Sequence, residues 1–431
     1  MKRLIAIYMA VLLVFTIFLS WYFTRPKVLH VGLFAGSNWD VPEADSYAIL
    51  EAAIARFEQE HPGVKVKYDG GVRKDDYSEW LAEQFLKGTE PDVFVVPGAD
   101  FDLYAASGAL SPLVRFTGVD ADFDESVYYK AAFDYGKWQG SSYALPLGAV
   151  PTLMFVNKSL LAREGIAIPQ NNWTWHDFLQ ICRAVTRDTD GDGRIDQFGV
   201  YDYTWRSAAL TNGIKIFSAD GRTANFADKR MEEVLHFMQD LHAVNQGQEV
   251  RAKDFDMGKV AFRPFTFAEY RTYKPYPWRI KKYSSFEWDC IKLPAGPSGR
   301  NSSLMQPMLM GISARSSEQR LAWELLKIIC YDPDIQELML TKSQGLPARR
   351  DVVESPRAQT LFNDATPGSE EMNLKTVSEV MDDSITKPKF SRCMEALNMA
   401  DSRLQHIIRE NDSVSSALSQ MQKEINAYLQ Q

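Results

Sequence analysis

After residue 27 the chain alternates short apolar runs with helix-like patterns. Strands are predicted at Val28–Phe34, Val64–Tyr68 and Val93–Val96. The segments between them carry apolar residues at helical spacing: Leu50, Ala53, Ile54 and Phe57, then Tyr77, Leu81 and Phe85. Helical connectors of this length make successive strands parallel, with both faces of the sheet covered. The pattern therefore predicts an α/β fold.

Polar and aromatic residues follow two of these strands. In parallel sheets ligands bind beyond the carboxyl ends of the strands. That rule selects the loops at 35–45 and 97–101. The first loop contains Asn38 and Trp39, and the second contains Asp100. We expect these three residues to line a ligand site.

The stretch from Leu153 to Gly199 combines several signals. A short apolar run leads to Asn157, which can cap a helix that Gly165 ends. Thr174 and Asp177 form a second capping pair. One buried helix face follows, at Phe178, Ile181, Cys182 and Val185.

An acidic loop follows this helix and spells DTDGDGRID from 188 to 196. It matches the start of a calcium loop, with a backbone carbonyl offered by Arg194, but Gly199 stands where a bidentate Glu is needed. Clustered carboxylates repel unless a cation is present, so we expect a structural Ca²⁺ here. A solvated turn-rich loop is the alternative, since Asp and Gly dominate turns. The predicted ligands are Asp188, Asp190, Asp192, Arg194, Asp196 and Gln197.

An uncharged stretch, Leu4–Phe23, begins the chain after Lys2 and Arg3. Its 20 residues match the thickness of a bilayer, and the preceding basic residues favour insertion with the rest of the chain outside the cytoplasm. No small-residue cleavage site follows it. We expect a membrane anchor (residues 1–27), and an atypical cleaved signal peptide is the alternative.

Composition narrows the function further. The 431-residue chain has room for two or three domains. Its net charge of −8 argues against a nucleic-acid partner, which needs clustered Lys and Arg. Four cysteines lack any C-x-x-C spacing, and we expect buried, unpaired thiols. The chain is also rich in aromatics, with 10 Trp.

Seven short segments together resemble the extracellular solute-binding proteins of bacterial ABC importers, in the carbohydrate-binding family related to maltose-binding protein. They are FEQEHPGVKV (57–66), GTEPDVF (88–94), ASGALSPL (106–113), FVNKSLL (155–161) leading to WTW (173–175), GKVAF (258–262), IKLP (291–294) and GLPARRD (345–351). The C-terminal helices after Val352 match no family motif. The lipid-bearing Cys of many members is absent, and we expect the Leu4–Phe23 stretch to replace it as the membrane attachment.

The resemblance implies a two-lobed periplasmic-binding-protein-like fold of type II, each lobe a mostly parallel sheet flanked by helices. The chain then crosses from one lobe to the other near Ala149, Gln306 and Pro347. The first lobe comprises residues 28–148 with 306–346, and the second 149–305 with 347–431. A carbohydrate bound between the lobes would pass to the permease of an ABC importer, with no chemistry on the ligand. The protein is expected to act as a monomer on the outer face of the cytoplasmic membrane.

The resemblance also places loops of the second lobe at the cleft. Sugar rings stack on aromatic faces, while their hydroxyls need polar partners. The candidates on this side are Trp205, Glu269, Tyr270 and Arg271, opposite Asn38, Trp39 and Asp100, and we expect Trp39 and Trp205 to lie outside the lobe cores. Trp278 and the Arg279–Lys282 cluster belong to a Tyr- and Pro-rich loop. That cluster either lies on a solvated face or makes the binding site prefer an acidic or phosphorylated sugar.

Two other classes of function stay open. No G-x-S-x-G, H-E-x-x-H or phosphate-cradling glycine loop is present, so the sequence offers little support for an enzyme. Paired carboxylates of a glycan-active enzyme cannot be identified without geometry. The pair Tyr128–Tyr129 is similar to that of iron-binding relatives, although such a pair usually packs in a core. A sugar-sensing surface module would have the same sequence features.

Overall fold

The computed structural model describes residues 26–41, 47–272, 286–365, 372–410 and 414–430. The strands are β1 (Lys27–Gly32), β2 (Val64–Asp69), β3 (Val93–Val96), β4 (Lys137–Trp138), β5 (Ser141–Ser142), β6 (Ala144–Asn157), β7 (Phe198–Val200), β8 (Val260–Thr266), β9 (Trp288–Ile291), β10 (Ser303–Ile312), β11 (Leu346–Pro347) and β12 (Ser384–Thr386).

Helices cover the sheet and form most of the C-terminal third. They are α1 (Ala48–Glu60), α2 (Lys74–Lys87), α3 (Phe101–Ala106), α4 (Val114–Thr117), α5 (Lys130–Tyr135), α6 (Lys158–Arg163), α7 (Trp175–Val185), α8 (Trp205–Thr211), α9 (Lys229–Val244), α10 (Ala252–Asp256), α11 (Phe267–Thr272), α12 (Gln319–Tyr331), α13 (Pro333–Lys342), α14 (Arg350–Val353), α15 (Ala358–Ala365), α16 (Leu374–Asp382), α17 (Cys393–Glu410) and α18 (Val414–Leu429).

The predicted parallel order of the first three strands is confirmed. β1 pairs in parallel with β2 on one side and with β3 on the other. The sheet then continues in the order β10, β6, β8 and β7. β10 is antiparallel to both of its neighbours, β3 and β6, which therefore run in the same direction. At the far end β8 and β7 are parallel to each other, and β8 and β9 oppose β6.

Three chain segments meet in the middle of this sheet. Ala149 of β6 lies opposite Pro307 of β10 and also opposite Leu346 of β11. The stretches near Ala149, Gln306 and Pro347, given by the resemblance as crossings, are therefore adjacent. The proposed lobe boundaries stay a prediction.

The capping signals of the Leu153–Gly199 stretch are confirmed. The Asn157 side chain accepts a hydrogen bond from the backbone N–H of Leu160 at 2.9 Å, which satisfies a free donor at the start of α6. Gly165, with a φ of 70°, follows the end of that helix in the left-handed conformation that glycine adopts without strain. Thr174 and Asp177 form a reciprocal capping box at the start of α7.

Buried side chains form two clusters. The first contains the apolar faces of β1 and β3 and the helices between residues 350 and 382. The second contains α7 and α9 together with the C-terminal helices α17 and α18. All four cysteines are buried and unpaired, as predicted, and burial raises the pKa of each thiol.

Two predicted features lie outside the described residues: the anchor at Leu4–Phe23, and the part of the Tyr- and Pro-rich loop that contains Trp278 and Arg279–Lys282. Within the described ranges, no helix combines the length and apolar character needed to cross a bilayer.

Candidate ligand-binding site

The adjacent stretches near Ala149, Gln306 and Pro347 are here called the crossing segments. Trp39 lies where the loop after β1 meets them. Its side chain is buried, with 8% exposed, and its indole Nε1 donates a hydrogen bond to the backbone oxygen of Gln306 at 3.3 Å. A Cβ atom added to Gly345 would stand 2.2 Å from the Trp39 ring. The ring therefore packs directly on the backbone that precedes β11. Trp39 contacts two of the three adjacent segments.

Asn38 and Asp100, the other two candidates in the loops after the first strands, have polar neighbours. The backbone oxygen of Asn38 accepts a hydrogen bond from Lys74 Nζ at 2.7 Å, and the same ammonium binds Asp40 at 2.5 Å. Asp100 is half-buried and directly precedes α3. Burial, and then the nearby Asp100 carboxylate, raise the pKa of Tyr104 to about 12.

Trp205 is buried in the second cluster rather than standing at a surface. It is 3% exposed, its ring contacts Phe226 at 5.9 Å between centroids, and its Nε1 donates to Asp401 Oδ1 at 2.8 Å. Asp401 belongs to α17 and also binds Arg206. The expectation that Trp39 and Trp205 lie outside the lobe cores is wrong, because crossing segments cover the first ring and a C-terminal helix covers the second.

The remaining three predicted residues belong to α11, where their side chains make contacts within the protein. Glu269 accepts hydrogen bonds from the backbone and the hydroxyl of Thr266 at 2.8 and 2.7 Å, so it caps its own helix. Tyr270 is 4% exposed and stacks on Phe155 at 5.2 Å. Arg271 donates to the backbone oxygen of Leu340 at 2.9 Å.

Asp202 is a further candidate that the sequence analysis did not select. It follows β7 at the carboxyl edge of two parallel strands and has a φ of 63°, which Asp tolerates better than most residues. Burial raises the pKa of its carboxyl, Arg263 partly offsets this, and Glu269 raises it again. The strand-end rule that selected Asn38 and Asp100 would have found Asp202 had β7 been predicted.

The acidic loop brings three of its predicted ligands together. Carboxylate oxygens of Asp188, Asp190 and Asp192 lie within 4.8 Å of one another. Hard oxygen donors so grouped suit Ca²⁺. The N–H groups of Gly193 and Gly191 bind the Asp188 carboxylate and lower its pKa.

The other three predicted ligands differ in their surroundings. Arg194 contributes its backbone N–H to Asp192 at 2.8 Å. The Asp196 carboxylate accepts from Thr189 and pairs with Lys259 at 3.0 Å. Gln197 is buried, and its amide donates to the backbone oxygen of Val185 at 2.8 Å.

A segment of the C-terminal third that begins with β12 lies beside β10, next to Gln306. β12 pairs in parallel with residues 303–305 of β10. Lys389, three residues beyond β12, donates to the backbone oxygens of Tyr135 and Lys137 at 2.9 Å each. Its ammonium lies 4.1 Å from the centroid of the Phe101 ring. This segment contains no recognisable motif, so its position could not be predicted from the sequence.

Comparisons with known proteins identify the family and the fold of the chain. Residues 41–329 match the family model described as "Bacterial extracellular solute-binding protein". A protein of Escherichia coli (strain K12) named "Putative ABC transporter periplasmic-binding protein YcjN" is 22% identical over 215 residues, which is 47% of this chain and 47% of that protein. The chain thus matches about half the length of this relative.

Solved structures extend the likeness to nearly the whole chain. The cyclic alpha-maltosyl-1,6-maltose binding protein from Arthrobacter globiformis has a TM-score of 0.75 at 16% identity, covering 94% of this chain and 99% of that one. The sugar-binding protein MalE from Xanthomonas citri has a TM-score of 0.75 at 17% identity, covering 94% and 97%. The fold is therefore the two-lobed type II periplasmic-binding-protein fold, as predicted. Because the family model matches most of the chain, this protein belongs to the bacterial extracellular solute-binding proteins.

Proposed function

We propose that this protein is the extracytoplasmic carbohydrate-binding subunit of an ABC importer. It captures a sugar or oligosaccharide between two lobes, residues 28–148 with 306–346 and residues 149–305 with 347–431, and delivers it to the permease. The similar proteins from Arthrobacter globiformis and Xanthomonas citri are named for sugar binding, and the relative from Escherichia coli is named for an ABC transporter. These names support the ligand class and the partner.

The observation that carries the proposal is the position of Trp39 on the crossing segments. A ring packed on Gln306 and Gly345 lies where movement of one lobe against the other is concentrated. Asn38 and Lys74 on one side and Asp202 on the other present polar groups at strand ends. Ligand binding would favour the closed arrangement, and the permease would recognise it.

The direct test is a glycan-binding screen by thermal shift, followed by calorimetric titration of each hit. A ligand that binds only the native state stabilises it by about 2.7 kcal/mol at 100 times its Kd. Chromatography of the glycans after incubation distinguishes a binding protein from a glycan-active enzyme. Unchanged glycans are expected. Released products would contradict the binding-only function.

We further propose a structural Ca²⁺ bound by Asp188, Asp190, Asp192 and the carbonyl of Arg194, with Asp196 and Gln197 supplying further oxygen ligands. The ion would offset repulsion between the carboxylates. Chelation should lower the melting temperature of the wild type. It should not change that of Asp190→Ala, whose melting temperature is already reduced. Asp69→Ala, at an exposed aspartate of β2, is the matched control and should respond to chelator like the wild type. An unchanged wild-type melting curve would mean that the loop binds no calcium.

The proposal also keeps Leu4–Phe23 as a membrane anchor that holds a monomer on the outer face of the cytoplasmic membrane. The protein should then sediment with membranes and retain Met1. A native N-terminus beyond Thr24 would instead identify a cleaved signal peptide.

A further inference from the structure

Residues 384–390, here called the strap, lead the chain from the first buried cluster to the second. Helix α16, before the strap, contributes to the first cluster, and helix α17, after it, contributes to the second. The strap begins as β12, which pairs in parallel with Ser303–Met305 of β10. Because Gln306 is the next residue of β10, the strap starts beside the crossing segments.

Lys389 fixes the strap to elements of the proposed first lobe. Its ammonium donates hydrogen bonds to the backbone oxygens of Tyr135 and Lys137, at 2.9 Å each. The same ammonium lies 4.1 Å from the centroid of the Phe101 ring and 3.5 Å from a carboxylate oxygen of Asp102. Only 16% of the side chain is exposed, so these contacts replace most of the water around the charge. All of these partners belong to the proposed first lobe.

The next residue, Phe390, fixes the strap to the proposed second lobe. Its ring packs edge-on against Phe217, with the two centroids 5.1 Å apart. A Cβ atom added to Gly221 would stand 2.4 Å from the Phe390 ring, so the ring lies directly on that backbone. Two consecutive residues of the strap therefore bind different lobes.

The contact made by Lys389 lies at the edge of the expected ligand site. Phe101 and Asp102 directly follow Asp100, in the loop after β3 at the carboxyl edge of the parallel strands. Separation of the lobes would pull the Lys389 ammonium away from its acceptors on the first lobe while Phe390 stayed with the second. The hydrogen bonds of Lys389 therefore oppose that movement.

We propose that the strap is an additional connection between the lobes, and that Lys389 is the latch by which it holds them together beside the ligand site. This inference rests on the two lobes of the proposed function and adds a residue that controls their movement. Lys389 acts as a positioning residue, because it binds protein groups on the first lobe. The latch stabilises the arrangement described here relative to a more open one, and so sets the fraction of the protein in each arrangement.

The test measures the distance between the lobes in the full chain without ligand, by single-molecule fluorescence energy transfer. Labels at Lys67→Cys in β2 and Arg183→Cys in α7 report on different lobes, since both positions are exposed and all four native cysteines are buried. Lys389→Met removes the donors and keeps an apolar side chain over the Phe101 ring. Lys387→Met, at an exposed lysine of the same strap, is the matched control. Lys389→Arg keeps the charge and the donors.

We expect Lys389→Met to raise the ratio of separated to joined lobes about tenfold, as loss of hydrogen bonds from a charged group predicts. Lys387→Met should leave the ratio unchanged, and Lys389→Arg should keep it close to that of the wild type. An unchanged ratio in Lys389→Met, even with a lower melting temperature, would overturn the latch, because the residue would then only fasten the C-terminal helices. An equal rise in Lys387→Met would also overturn it, because the charge of the strap and not the contact would be responsible.

Asp102→Asn tests the same latch if Lys389→Met does not fold. The Asp102 side chain is 41% exposed, so loss of its ion pair should raise the ratio only about twofold. No rise in this variant would contradict the latch. These measurements need no glycan, so a failed glycan screen would contradict the proposed function and leave the latch standing. Unchanged lobe distances would do the reverse.

Discussion

Trp39 and Trp205 are both predicted to stack on a sugar ring, yet their surroundings in the fold differ. Trp39 lies on the crossing segments, with its N–H directed to a neutral backbone oxygen at 3.3 Å. Trp205 lies under helix α17, with its N–H directed to the Asp401 carboxylate at 2.8 Å. Both rings are nearly inaccessible to solvent, with 8% and 3% exposed.

Burial alone therefore does not distinguish a ring at the crossing segments from a ring under a packed helix in a two-lobed protein. A ring at the crossing is covered by segments that shift when the lobes move, whereas a ring under a packed helix is covered permanently. We therefore expect Trp205 to contribute mainly to stability, and Trp39 to contribute to both stability and ligand response.

The largest expected effect is that of Trp205→Ala. Removing a buried Trp ring costs about 3–5 kcal/mol, and this change also removes a donor from a carboxylate. Urea unfolding should show the free energy of unfolding reduced near the upper end of that range. Trp138→Ala, at a half-buried ring of β4, is the control and should cost less. A loss below about 1 kcal/mol would mean that α17 does not hold Trp205 as described.

Replacing each ring by Phe compares the two hydrogen bonds. The Trp205 N–H binds a charged acceptor and the Trp39 N–H a neutral one, so the expected losses are about 1.5–3 and about 0.5–1.5 kcal/mol, in addition to the change in ring size. Thermal or urea unfolding of the two single variants measures the difference. Equal losses would remove the distinction between the two sites.

Gly345→Ala tests the contact between Trp39 and the crossing segment. The new methyl group would meet the ring at 2.2 Å, so the ring must move, at a cost of about 1–3 kcal/mol. The same change made together with Trp39→Leu should cost clearly less, because the smaller side chain leaves space. Additive losses in this double-mutant cycle would show that the two residues do not press on each other.

The smallest effect concerns fluorescence. Once a ligand is known, its binding should change the intrinsic fluorescence of the wild type as the lobes close. Trp39→Phe should lose much of that change, and Trp205→Phe should keep it. The reverse result would assign the moving ring to the second lobe.

Local sequence signals determined much of this fold. The capping pair Thr174–Asp177 and the cap at Asn157 use hydrogen bonds between residues three apart, which neighbouring residues specify by themselves. The apolar runs of β1, β2 and β3 are short-range patterns too, and their parallel order follows from the length of the connecting helices. The strand-end rule then selected Asn38 and Asp100 as candidates.

The contacts of the candidate side chains depend instead on packing between distant parts of the chain. The contacts of Trp205 with Asp401, of Trp39 with Gly345 and of Arg271 with Leu340 join residues 69 to 306 positions apart, and no local periodicity encodes such pairs. The segment after β12 is the same case, because Lys389 meets the backbone oxygens of Tyr135 and Lys137 only when β12 joins the sheet beside β10. The sequence determines where strands end and helices begin, since those choices depend on adjacent residues. Packing between distant segments decides which rings are buried and which charged groups are paired.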